Sequence, residues 1–73
     1  MSTTDDLEAT KRRLDHVLAE VERDPTSRSV ADIKEWRLRF RHIGNYKYRT
    51  ATDVDLMFSC EALFKQMLAI IEK

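Results

Sequence analysis

The groups on this chain that could carry out acid–base, nucleophilic or metal chemistry are few. They are His16 and His42, a single cysteine at Cys60, and the carboxylate pairs Asp5/Asp6 and Asp53/Asp55. Acid–base catalysis needs such groups to converge on one substrate, and a nucleophile needs a base and an orienting partner within reach. A zinc site needs His and Cys at short, repeated spacings. The sequence offers none of these patterns. The histidines stand apart beside charged neighbours, and each carboxylate pair falls where a helix begins, so that capping accounts for it. Cys60 falls within an apolar arc, where cysteine behaves as a small hydrophobe. With one glycine, the chain has no phosphate-cradling loop. The expectation is a non-enzymatic protein with no catalytic residues, no cofactor and no metal.

The remaining chemistry is that of a surface. The stretch "EWRLRFRHIGNYKYRT", residues 35–50, holds the only Trp, both Tyr and a concentration of cations. On a helix, Lys34, Arg37 and Arg41 are spaced i, i+3, i+7 and share a face. Beyond them Lys47 and Arg49 interleave with Tyr46 and Tyr48. Basic and aromatic residues together suit phosphate and stacking contacts on nucleic acid. They equally suit a protein interface, where Tyr, Trp and Arg are the usual anchors, or a solvated face over the end of the fold. Leu38 lies among bases, off the apolar arc of its segment. Phe58 lies on a polar side between Asp55, Glu61 and Ala62, where it could anchor a partner's amphipathic segment. The candidate partner-binding residues are therefore Arg37, Leu38, Arg41, Tyr46, Lys47, Tyr48, Arg49 and Phe58.

The charge balance sharpens this. Thirteen bases meet thirteen acids, but unevenly along the chain. Residues 1–26 carry seven acids and four bases, residues 27–49 seven bases and two acids, and residues 50–73 four acids and two bases. A basic middle between acidic ends argues against a general nucleic-acid coat protein, which would be basic overall. It fits a module that touches something locally anionic, or one that neutralises itself on folding. A lone cysteine allows no internal disulfide, the opening "MSTTDDLEA" is unlike a secretory signal, and no apolar run is long enough to span a bilayer. These features lead us to expect a cytoplasmic protein without a membrane partner.

Seventy-three residues make one domain, 1–73, with a thin margin of stability. Pro25 and Gly44 divide it into three segments. In the first, about 5–23, Leu7, Leu14, Val17, Leu18 and Val21 fall within an arc of roughly 100° at helical periodicity, with Asp5 placed to cap and Glu8 three residues later. In the third, about 53–72, nine apolar residues from Leu56 to Ile71 fill roughly 160°, with Thr52 as the expected cap. So wide a face predicts a helix lying between two others, or one partly covered by a partner. In the middle, Val30, Ile33, Trp36, Phe40 and Ile43 line one side of a helix over about 30–43. Ser29 with Asp32 would open it and Gly44 would close it as a left-handed residue. The fold class expected is all-α, a small three-helix bundle with "NYKYRTA" as an extended Tyr/Lys/Arg connector. The alternative is α+β: in a β-hairpin around residues 36–50, Phe40, His42, Tyr46 and Tyr48 would share a face. The helix is preferred because it uses both cap signals and gives residues 29–34 a role.

Over its whole length, from "MSTTDDLEATKRRLDH" through "EWRLRFRHIGNYKYRT" to "QMLAIIEK", the chain resembles the small lytic-phage transcription regulators. These bind host bacterial RNA polymerase, inhibit initiation by promoting loss of σ, and later act as antiterminators. The resemblance implies a partner surface at the extreme N-terminus of the polymerase β′ subunit, with the β-flap and RNA-exit region of the β subunit nearby. It implies no particular contact residues. Exiting RNA, a sequence-tolerant nucleic-acid target and a homodimer through the broad face of the third helix are the other partners to weigh.

Overall fold

Side-chain hydroxyls open two of the three helices. The computed structural model describes residues 3–44 and 50–72, with side chains for 4–42 and 50–72. It contains α1 (Thr3–Arg23), α2 (Val30–Gly44) and α3 (Ala51–Ile71), and no strand among the described residues. Ser29 Oγ accepts the Asp32 amide at 3.1 Å, the half of the expected capping pair that satisfies an orphan donor of α2. Thr50, not Thr52, caps α3. It sits in extended backbone (φ −130°, ψ 161°) and accepts from the Asp53 amide at 3.1 Å. The cap therefore follows a T-x-x-D spacing two residues earlier than expected, and Thr52 lies exposed inside the first turn.

Three further expectations need correction. α1 begins at Thr3, so Asp5 lies inside its first turn and is not its cap. Gly44 is the last residue of α2, and no described residue has positive φ, so it is not a left-handed terminator. The hairpin alternative fails over residues 36–44, which are helical. Apolar contacts of one helical stripe outweigh an alternating pattern that could bury little. Of the expected connector, residues 45–51, Thr50 is the cap of α3 and Ala51 its first residue, while residues 45–49 lie outside the described residues.

α3 holds the fold together. It packs along α1 and more briefly on α2, while no Cα of α1 comes within 8 Å of a Cα of α2 among the described residues. The wide apolar arc of α3 is thus shared between two neighbours. Toward α1 the core gathers Leu7, Leu14, Val17 and Val21 around a buried Cys60 and Met67. Toward α2 it is aromatic. Phe64, fully buried, meets Trp36 edge-on (ring centroids 5.4 Å, interplanar angle 86°) and Phe40 at 5.7 Å. Such pairings add about 0.5–1.5 kcal/mol beyond the area they bury.

Between α1 and α2, Asp24 folds the chain around Pro25. Its carboxylate accepts the Thr26 amide (3.0 Å) and hydroxyl (2.6 Å), an Asx turn that holds the Asp24 carboxyl below its usual value. Among the described residues no helix is long and apolar enough to cross a membrane.

Candidate functional site

The rotation of α2 about its own axis is set by Ile33, Trp36 and Phe40, which turn toward α3. With that face committed, Arg37 and Arg41 fall at its edge, one turn apart, against α3. There they meet Glu61, which precedes the buried Phe64 by three residues and so lies on the same side of α3. Arg41 grips the carboxylate with two hydrogen bonds, Nε to Oε1 at 3.1 Å and Nη2 to Oε2 at 3.0 Å. Arg37 donates Nε to Oε2 at 3.1 Å, and its Nη2 lies 3.0 Å from the same oxygen as an ion pair. Two guanidinium groups thus share one carboxylate whose side chain is only 13% exposed.

The electrostatics follow from that geometry. Burial pushes the Glu61 carboxyl up, but hydrogen bonds and charge from Arg41 and Arg37 outweigh it and hold the group below the usual carboxylate range. Glu61 in turn raises Arg41 above its ordinary value, through the hydrogen bond first and the charge second. The cluster keeps one surplus positive charge. Further along the pair, Lys34 reaches Glu72 at 3.5 Å in an exposed ion pair. The stripe of Lys34, Arg37 and Arg41 therefore neutralises acids of α3 rather than standing free.

The candidate residues divide accordingly. Arg37 is half-buried in the clamp, while Arg41 is clamped but still half-exposed. Leu38, one turn before Arg41, is 67% exposed, and Phe58, one turn before Glu61, is 63% exposed. Val54 is exposed a further turn back on α3. Leu38 and Phe58 thus each stand one helical turn from a member of the clamp. Tyr46, Lys47, Tyr48 and Arg49 lie outside the described residues.

No family model, curated protein or solved structure matches this chain.

The groups first considered for chemistry are dispersed. Among the described residues no three His, Cys, Asp or Glu side chains gather where they could hold a metal ion. Cys60 is buried, and burial pushes its thiol up to about 11, so it is a poor nucleophile. His16 and His42 lie exposed on different helices.

Sequence reasoning missed two residues. Glu61 gave a usable signal: it is an acid one turn from the core position Phe64, facing a basic helix. Asp53, which capping accounts for in the sequence, is 3% exposed and accepts a hydrogen bond from the Thr4 hydroxyl, tying the start of α1 to the start of α3. Only the T-x-x-D spacing hinted at a fixed position for it.

Proposed function

We propose that this chain is a non-enzymatic, phage-type regulator of bacterial RNA polymerase. It would bind the β′ N-terminus and the β-flap/RNA-exit region in the host cytoplasm, inhibit initiation through release of σ, and promote antitermination. In this reading the helices act as a small rigid bundle and residues 45–49 as a basic, aromatic connector at its end. The choice of polymerase rests on the sequence resemblance. What carries the protein-binding part is a single observation: Leu38 and Phe58, both largely exposed, stand one helical turn from Arg41 and Glu61, which belong to one ion-pair cluster. An exposed aromatic ring near arginines suits a protein interface, where aromatic residues and arginine are enriched. A phosphate-reading surface would instead leave its cations free, and here Lys34, Arg37 and Arg41 are engaged by Glu72 and Glu61.

A protein of this size can displace σ only by binding the σ-free enzyme more tightly than the holoenzyme, and the shift cannot exceed that difference in affinity. The test is a native gel of the chain with holoenzyme and with core enzyme, with free σ as the readout. Co-migration with released σ supports the proposal. Equal affinity for the two forms removes σ release, and binding to neither removes the polymerase. Affinity for RNA that falls steeply with salt would move the chain to nucleic-acid binding.

A further inference from the structure

We infer that the chain pairs with a second copy of itself. The two α3 helices dock antiparallel along an outer seam made by Ala51, Asp55, Phe58, Ala62, Lys65 and Ala69. The inference is independent of the polymerase reading.

The seam is a spacing on an exposed surface. The six residues follow one another at intervals of four, three, four, three and four positions, and every one of them is exposed. That alternation has the 3.5-residue period at which one helix meets another along its length. Around α3 the six lie within an arc of about 80°. Its centre is half a turn from Cys60 and Met67, which are buried in the core. The broad inner face of α3 is taken by α1 and α2, so a second, narrower stripe is left outside. A helix apolar on both its sides is one that lies between neighbours.

Charge complementarity names the occupant, because the seam read backwards fits itself. A two-fold axis centred on position 60 sets Ala51 against Ala69 of the second copy, Asp55 against Lys65, and Phe58 against Ala62. Each contact occurs twice, as an interface between identical surfaces requires. The exposed Phe58 ring is thereby covered, and it meets a small side chain rather than another ring. Asp55 and Lys65 have no charged partner among the described residues. Ten residues of helix hold them about 15 Å apart, so they do not reach each other within one chain. A parallel pair would set Asp55 against Asp55 and Lys65 against Lys65, so the charges fix the direction as well. Glu61 and Glu72 border the seam on the α2 side, but they are already paired with Arg37, Arg41 and Lys34. The three alanines let the two helix axes come close, since axial separation follows the size of the side chains between them. If polymerase also uses Phe58, the pair must part before it binds.

The test is sedimentation equilibrium of the full chain, with Asp55→Lys, Lys65→Asp and the double variant carrying both. Circular dichroism checks that each keeps its helicity, as exposed positions should allow. The parent should show a concentration-dependent dimer. Each single substitution sets like charges together twice and should weaken association roughly tenfold or more. The double variant only exchanges the two charges, so it should associate as the parent does. An equimolar mixture of the two single variants should do the same. A parent that stays monomeric at the highest concentration reached would overturn the inference. So would single variants that associate as the parent does, or a double variant that associates no better than the singles.

Discussion

α3 meets its two neighbours by different means. Against α1 the seam is long and aliphatic, closed at its head by the Thr4–Asp53 hydrogen bond. Against α2 the seam is short, with three aromatic rings inside and one carboxylate between two arginines at the edge. Apolar area dominates stability and is indifferent to detail, whereas a paired charge holds orientation and contributes little net stability. The comparison therefore sets a seam that supplies stability against one that fixes orientation. The chain contains a native reporter for each seam. Cys60, within electrostatic reach of Lys11 and Asp15 on α1, reads the first, and Trp36 reads the second.

The change that breaks both seams is Phe64→Ala. It removes the ring on which Trp36 and Phe40 rest and leaves a cavity in the core that the helices share. A loss of about 3–5 kcal/mol is expected, most of the margin of a domain this small. Thermal unfolding by circular dichroism should show little folded chain at 37 °C. Leu14→Ala, on the α1 seam alone, should cost about 2–5 kcal/mol. Thiol labelling of Cys60 should accelerate well before the fluorescence of Trp36 changes, and a simultaneous change in both would show that the seams do not open separately.

Glu61→Gln sharpens the comparison from the other side. It leaves two arginines facing a neutral amide, and a loss of about 1–3 kcal/mol is expected. The pH dependence has a definite sign. The folded Glu61 carboxyl is depressed, so its contribution is present above the unfolded value of about 4.3 and is lost as pH falls through the folded value. Acidification below about pH 4 should destabilise the parent more than Glu61→Gln, measured as urea midpoints. Cys60 acts at the opposite end. Its folded value is raised, so its contribution is intact below the ordinary 9.0 and is lost as pH rises toward about 11. Cys60→Ala should flatten that alkaline limb. The smallest effects belong to the helix edges. Thr50→Ala should cost about 1 kcal/mol through the lost cap, and Lys34→Ala less than about 0.5 kcal/mol, its ion pair being exposed.

Most of the frame was legible in the sequence because a helical stripe writes itself in every turn. The arcs through Leu7 and Val21, Ile33 and Phe40, and Cys60 and Phe64 are the buried ones. What was not legible depends on which helix lies beside which. The bases of α2 left open whether they met an anionic partner or neutralised the chain's own acids, since nothing in their spacing shows that Glu61 will stand opposite them. Asp53 was read as a cap because its partner, Thr4, is 49 residues away. Leu38 and Phe58 were identifiable as misplaced, since exposure of an apolar residue depends only on its own helix.

The distance between Thr4 and Asp53 also bears on how the chain is made. α1 leaves the ribosome first, yet the helix that covers it is synthesised roughly several seconds later at ordinary elongation rates. Arg41 and Glu61 are separated by only 20 residues, so α2 and α3 can pair locally before α1 docks. The first helix synthesised is then the last to be buried. Its narrow apolar stripe, with Lys11, Arg12, Arg13, Asp15, Glu20 and Glu22 around the rest of the wheel, keeps the waiting segment soluble. Nascent chains arrested before α3 should show α1 open to protease, and chains arrested after it should show α1 protected.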